Sequence, residues 1–365
     1  MHRPAEFDFL LYGANGYTGR LIARLAAEKG LKPLLAGRNA DALRETADST
    51  GFDWVAFDLS DTRRLHDALQ KCRLVLHAAG PFRHTLDPMI EACLQTGRHY
   101  IDINGDIACF ERIRGYDSKA HERGVMLLPG AGFDVIPTDC LAKSLQGKMP
   151  EAVSLRIAFG SMGSRLSHGT AMTMLSKLGE GGMVRKGGRI EKRPFGEKGM
   201  EVDFGGERHF VMSIPWGDVA TAYHTTGIPD IETYTVVKPG VYRAMKGQWL
   251  FNPILRTEAV RNLLRKRVDS NPAGPDDAMR ASAYSVVWAE LSDREGNRIS
   301  ASLRGPEVYD ITAHGALAIV GRILEGEARP GYQTPAGCYG ADLVMEIPGM
   351  RKTEAVHTQG PAASL

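Results

Sequence analysis

The chain has 365 residues, 43% of them hydrophobic, and a formal net charge of +2. That length suits two domains with a core each. The near-balanced charge, with no helix-plus-basic-patch motif, gives no reason to expect nucleic acid as a partner. The five cysteines, Cys72, Cys93, Cys109, Cys140 and Cys338, form no CxxC pair. Neither a disulfide framework nor a metal site is therefore expected, and the chain reads as a cytoplasmic protein of a reducing compartment. Met1 to Asp8 is short and polar, without the form of a signal peptide, and no apolar run is long enough to predict a transmembrane segment.

Phe7 to Tyr12 is a short apolar run, followed at once by Gly13-Ala14-Asn15-Gly16-Tyr17-Thr18-Gly19 and a helix-like stretch from Arg20 to Lys29. The GxxGxxG spacing gives the three glycines distinct physical roles, namely a tight turn out of a strand, close backbone approach to a pyrophosphate, and close packing of helix on sheet. Leu34 to Ala36 reads as the next strand. It ends in Gly37-Arg38-Asn39, roughly twenty residues past the glycine turn, where an NAD-selective site carries an acid. Arg38 instead offers a fork of donors to a 2′-phosphate, so NADP(H) is the expected cofactor. The alternative for Arg38 is a solvated surface arginine. Trp54 to Phe57 predicts a third strand, with Asp58 at its end to meet the adenine edge.

Leu74 to Ala79 is a fourth run and stops at Gly80-Pro81-Phe82, where the chain is expected to pass close to ribose and nicotinamide. The fifth, Tyr100 to Ile103, ends at Asn104-Gly105, and the sixth, Val125 to Leu128, ends at Pro129-Gly130-Ala131-Gly132. Six strands alternating with helices predict an α/β fold, a Rossmann-type doubly wound parallel sheet with ligands beyond the strands' carboxyl ends. Residues 1–137 are assigned to this NADP-binding domain.

After Pro137 the pattern changes. Leu155 to Phe159, Phe210 to Ile214 and Tyr234 to Val237 read as strands, Ala171 to Leu178 as a helix behind His168-Gly169-Thr170, and residues 202–211 as a hairpin around Gly205-Gly206. Lys177 to Lys198 is basic and glycine-rich. It is a solvated loop or exposed hairpin, or else a flap attracting an anionic substrate, an acyl carrier or a lipid surface. Ala313 to Glu325 has helical spacing. Residues 138–310 are assigned to an inserted mixed α+β substrate and dimerisation domain, 311–350 to a segment returning to the Rossmann domain, and 351–365 to a disordered tail.

GANGYTGR at 13–20, LAGRN at 35–39, GPF at 80–82, YIDINGD at 100–106 and GAGFDVIPTD at 130–139 together resemble the saccharopine dehydrogenase-like oxidoreductases. PWGDVATAYHTTGIP at 215–229 and TPAGCYG at 334–340 are similar to the branch known as trans-acting enoyl reductases. The resemblance implies NADP-dependent reduction of a C=C, C=N or C=O group on a small-molecule or lipid-like substrate, in a homodimer. His168 departs from it, standing where relatives often carry a small residue.

Hydride transfer to such a group also needs a proton source. Asp134, Tyr223 and His224 are the catalytic candidates, with Phe133, His168, Trp216 and Asp218 bordering the substrate. Asp134 has a second reading as the cap of a helix near Pro137, an ambiguity Asp139 shares, and Tyr223 has one as an ordinary packed aromatic. An extended short-chain dehydrogenase is the alternative enzyme, with Tyr234 and Lys238 or Tyr242 and Lys246 as its Tyr–Lys pair. A non-catalytic NADP-binding sensor or scaffold is the alternative outside enzymes.

Overall fold

In the computed structural model, which describes residues 5–245 and 257–359, apolar runs and glycine stops produce the expected alternation. The order is β1 Phe7–Tyr12, α1 Tyr17–Glu28, β2 Pro33–Gly37, α2 Ala40–Thr50, β3 Trp54–Ala56, α3 Thr62–Gln70, β4 Cys72–His77, α4 Phe82–Thr96, β5 His99–Asp102, α5 Ile107–Arg114, α6 Asp117–Arg123 and β6 Met126–Leu128. The second part holds α7 Ile136–Gln146, β7 Ser154–Met162, α8 His168–Ser176, β8 Gly182–Lys186, β9 Arg189–Arg193, β10 Gly199–Asp203, β11 Arg208–Ser213, α9 Asp218–Thr226, β12 Asp230–Val236 and α10 Pro239–Met245. It continues with α11 Glu258–Asp269, α12 Asp277–Ser282, β13 Tyr284–Ser292 and β14 Arg298–Gly305. Helix α13 Val308–Leu324, β15 Gly331–Tyr332, α14 Pro335–Tyr339, a 3-10 turn Ala341–Glu346, β16 Arg351–Lys352 and β17 Val356–Thr358 complete the described residues.

The first sheet has seven strands in the order β15-β6-β5-β4-β1-β2-β3. Every pairing in it is parallel. Its central strands are buried on both faces, with Phe9, Leu10, Leu11, Leu74, Val75 and Leu76 inaccessible, as a sheet covered by helices on two sides requires. The order reverses between β1 and β4, the switch point at which doubly wound sheets bind ligands.

The second sheet is mixed and has ten strands, with β10-β11-β12-β7-β13-β14-β16 as its main path. Strands β10 and β11 form the hairpin expected at Gly205-Gly206, both at positive φ. The basic stretch after Lys177 is also a hairpin: β8 pairs with β9, and Arg185 of β8 registers against Ile231 of β12.

The chain divides into Met1–Phe133 with Tyr309–Cys338, and Asp134–Val308 with Tyr339–Leu365. The boundary thus falls after Phe133 where 137 was expected, and the returning segment is Tyr309–Cys338 where 311–350 was expected. The expected disordered tail is corrected for 351–352 and 356–358: Lys352 pairs with Leu303, and His357 with Ile299. Thr353 reinforces this pairing, donating its N–H to Ser302 O and accepting the Ser302 N–H at Oγ1, both at 2.9 Å. Covering β14 satisfies an edge that would otherwise expose backbone groups. Residues 360–365 lie outside the described residues, as does Lys246 of the alternative Tyr–Lys pair.

Candidate functional site

Four segments at the carboxyl edge of the parallel sheet carry the predicted cofactor residues. At the end of β1, Gly13 and Ala14 donate their N–H groups to Ala36 O, and Gly16 donates to Gly13 O at 3.0 Å. Gly13 has φ +95°, and a Cβ there would lie 2.7 Å from the Ala78 carbonyl carbon and the Ala79 nitrogen, so glycine is required on both counts. Asn15 lies against the next strand, its Oδ1 2.8 Å from where a Cβ on Gly37 would stand. The Arg20 guanidinium donates to Asn15 O at 2.8 Å. Tyr17 packs edge-on against Tyr309, the ring centroids 5.0 Å apart.

Gly16 is exposed and forms the N-cap of α1, with no side-chain capping bond and no acid in the first turn of the helix. A helix start with these features fits a phosphate anion, because its leading N–H groups and dipole have no competing carboxylate.

Arg38 is exposed at the end of β2. Its charge is felt at two neighbours. Burial pushes the Tyr12 phenol up to about 12, Asp58 adding to the rise and Arg38 opposing it. Asp58 is held below the usual carboxylate range, first by the Ser60 backbone N–H, then by the Ser60 hydroxyl, and also by Arg38. Asp58 therefore secures the turn after β3 and lies in the field of Arg38. Asn39 has a local role, since its Oδ1 caps α2 by accepting the Ala42 N–H at 3.1 Å.

After β4, Gly80 and Pro81 are exposed and joined by a cis peptide bond, and Phe82 opens α4. A Cβ on Gly80 would meet only Phe82. Thr85 holds this loop by donating to Ala79 O at 2.8 Å.

Asn104 is buried and engaged in local hydrogen bonds. Its Oδ1 accepts the Asp106 N–H at 2.6 Å, and its amide nitrogen lies 3.4 Å from Asp102. Gly105 beside it is half-buried. Asp102, which is not among the residues expected from sequence, organises this edge. It accepts from Tyr100 Oη at 2.7 Å, Asn104 N at 3.0 Å and Gly130 N at 2.9 Å, tying the ends of β5 and β6 together. Thr312 is likewise unexpected. Its hydroxyl accepts the N–H of buried Phe133 at 3.0 Å, fixing the loop after β6 to α13.

The remaining candidates belong to the second unit. Asp134 does not cap α7, whose N-cap is Val135 without a side-chain bond. Asp134 is half-buried as a residue, and burial of its carboxyl pushes it up to about 6, with Lys177 pulling the other way. Trp216 donates its indole N–H to the Asp134 carbonyl oxygen at 3.0 Å and packs on Phe159, the centroids 4.3 Å apart. Asp218 is fully buried at the start of α9, and burial holds its carboxyl well above the usual range. The charges of Asp139 and Asp134 push the same way. The nearby Thr138 hydroxyl gives its proton to Val135 O at 2.9 Å.

Tyr223 has a structural role on α9. The Arg185 guanidinium stands 4.2 Å over its ring while donating to Val219 O and Gly188 O, which anchors the β8–β9 hairpin. His224 is half-buried next to it. His168 bonds outside this group, its Nε2 lying 2.8 Å from Asp269 Oδ1. Tyr234 is buried and donates to Glu232 at 2.6 Å from within β12, which removes it as the tyrosine of a short-chain dehydrogenase pair.

The parallel sheet, its strand order and the glycine turn define a Rossmann-type dinucleotide-binding protein. Residues 9–128 match the saccharopine dehydrogenase NADP binding domain. A lipid droplet localized protein of Caenorhabditis elegans is 26% identical over 78% of this chain and 78% of its own. A saccharopine dehydrogenase-like oxidoreductase of Rattus norvegicus is 28% identical over 49% of this chain and 48% of its own. A trans-acting enoyl reductase of Mycobacterium ulcerans is 32% identical over 37% of this chain and 34% of its own. The match thus spans about half of the rat protein and a third of the mycobacterial one. Saccharopine dehydrogenase of Saccharomyces cerevisiae, at 12% identity, shares the fold with a TM-score of 0.68 over 96% of this chain and 100% of its own. Residues 9–128 are thus a nicotinamide dinucleotide-binding domain of the saccharopine dehydrogenase type, and the chain is similar to saccharopine dehydrogenase-like oxidoreductases and trans-acting enoyl reductases. Among the described residues no helix is long and apolar enough to cross a membrane, and no group of side chains forms a metal site.

Proposed function

We propose that this protein is an NADP(H)-dependent reductase acting on a C=C, C=N or C=O group of a lipid-like or amino-acid-derived substrate. The observation that carries the reading is the exposed, uncapped start of α1 at Gly16, with Arg38 at the end of the neighbouring strand and no acid in the selector position. The first feature receives a pyrophosphate, and the second distinguishes a 2′-phosphate from a bare ribose. The bound nicotinamide supplies the hydride.

Asp134 supplies the proton. It follows the β6 loop directly in the chain, and its raised carboxyl keeps a protonated fraction near neutral pH, as a general acid requires. Trp216 positions Asp134 through the backbone. Tyr223 is less suited, because its ring carries Arg185 and the hairpin. The name of the mycobacterial relative, an enoyl reductase, supports a C=C group, and that of the worm protein, localized to lipid droplets, supports a lipid setting. The five buried free thiols suit a reducing compartment such as the cytoplasm.

The test is NADPH oxidation by the full chain against separate panels of enoyl thioesters, cyclic imines and ketones. Turnover of one panel supports the reading and names the bond. Tight NADPH binding without turnover of any of them favours a sensor or scaffold.

A further inference from the structure

We propose that α8 and α11 form a docking surface for an anionic lipid layer. The two helices lie side by side and antiparallel. His168 at the start of α8 bonds Asp269 at the end of α11, and Arg261 near the start of α11 reaches Leu178 O just past the end of α8. The pair is poorly covered: Leu175 is the one buried residue of α8, and no residue of α11 is buried. Val260, Leu264 and Val268, each four residues on from the last, form the half-buried stripe of α11. Other apolar side chains stand in solvent: Leu263 is 69% exposed, Met174 58% and Leu166, just before α8, 53%. These are three of the six large hydrophobic side chains most exposed among the described residues, so the exposure is concentrated on this pair.

Charge selects the occupant. Arg261, Arg265, Lys266 and Arg267 lie on α11 against Glu258 and Asp269, and Asp269 is engaged by His168. Lys266 and Arg267 are exposed in the last turn with Leu263 one turn before them. An amphipathic helix with basic residues beside protruding leucine and methionine suits the interface of an anionic bilayer, where apolar groups enter the acyl boundary and cations meet phosphates and carboxylates. A neutral apolar partner would leave the exposed cations Arg265, Lys266 and Arg267 without a counter-charge from it. This surface is independent of the cofactor assignment.

The full chain is floated with vesicles of phosphatidylcholine alone and of phosphatidylcholine with phosphatidylserine, and each variant is also titrated with NADPH to show that it is folded. The wild type is expected to float with the anionic vesicles, about tenfold or more tighter than with neutral ones, and to be released by salt. Lys266→Glu with Arg267→Glu should abolish flotation. Leu263→Ser and Met174→Ser should each weaken it severalfold, with NADPH affinity unchanged. If one of these variants loses NADPH binding, Leu166→Ser, on the loop before α8, provides the apolar test instead. Equal binding to both vesicle types, or flotation indifferent to these substitutions in folded protein, would overturn the proposal. Self-association removed by the same substitutions would also overturn it, by making this face an interface between copies of the chain.

Discussion

A Cβ placed on Gly19 would lie 2.1 Å from the carbonyl oxygen of Gly13 and 2.9 Å from the Ala14 Cα, so α1 sits on the turn it emerges from at a distance only glycine permits. The obstacles are backbone atoms that cannot rotate away. Gly19→Ala should therefore push the helix off the sheet and destabilise the protein by about 1 to 3 kcal/mol, with cofactor affinity lost alongside. A thermal melt of the variant within a degree of wild type would contradict this packing.

Gly16 provides the contrast. Its φ of −71° is open to any residue, and the nearest obstacle to a Cβ is Gly13 O at 3.2 Å. Gly16→Val should keep the melting temperature close to wild type while abolishing NADPH binding, because the added bulk faces the space a pyrophosphate would take. Retained affinity in a folded Gly16→Val protein would remove the phosphate site from this turn.

The six strands of the first sheet were legible because each is a short apolar run stopped by glycine or a polar cluster, and burial on both faces demands such runs. Strand β15 was not, since Gly331–Tyr332 is two residues long and is held by its parallel partner β6 and by the Tyr332 N–H donated to Asp117 Oδ1 of α6 at 2.7 Å. The β16 and β17 pairings were hidden for a similar reason, lying in a polar segment whose order comes from the β14 edge. At the cofactor edge, Asn39 and Asn104 stand where ligand contacts are expected, although one caps a helix and the other staples a loop. A short polar side chain at a strand end serves either role, and motif position does not separate them. Asp102 did leave a signal, as a lone acid closing an apolar run. Thr312 left none, because its partner Phe133 is 179 residues away.

Arg38→Ala should weaken NADPH more than tenfold while leaving NADH nearly unchanged, since a charge-assisted contact to a phosphate contributes about 1.5 to 3 kcal/mol. Fluorescence titration with both cofactors gives the ratio directly. A mutant with the wild-type preference would mean that another group reads the ribose.

His77 makes a stability prediction. Its ring is fully buried among Tyr12, Phe82 and Tyr100, and burial lowers it to about 3. The folded-state value lies below the ordinary histidine value, so the unfolded chain takes up the proton first. This contribution is complete above about pH 6.5 and is lost as pH falls toward 3, on the order of 4 kcal/mol in all. His77→Phe should flatten that part of the denaturation profile, and an unchanged acid limb would show that other groups set it.

Asp134 carries the opposite sign. Its folded value, about 6, lies above the ordinary 3.8, so the folded chain holds a proton the unfolded chain has released. The associated stability is present below about pH 4 and is lost as pH rises through 6; after allowance for its partial exposure the cost at neutral pH is about 1 to 2 kcal/mol. Asp134→Asn should therefore melt higher than wild type at pH 7 to 8 and alike near pH 4. In the proposed role of proton donor, the protonated acid is also the active form. The reductive kcat/KM should then fall as pH rises through about 6 in the wild type, and this inflection should vanish in Asp134→Asn together with most of the rate. A variant that gains stability but keeps both rate and profile would leave Asp134 a buried acid without a part in the chemistry.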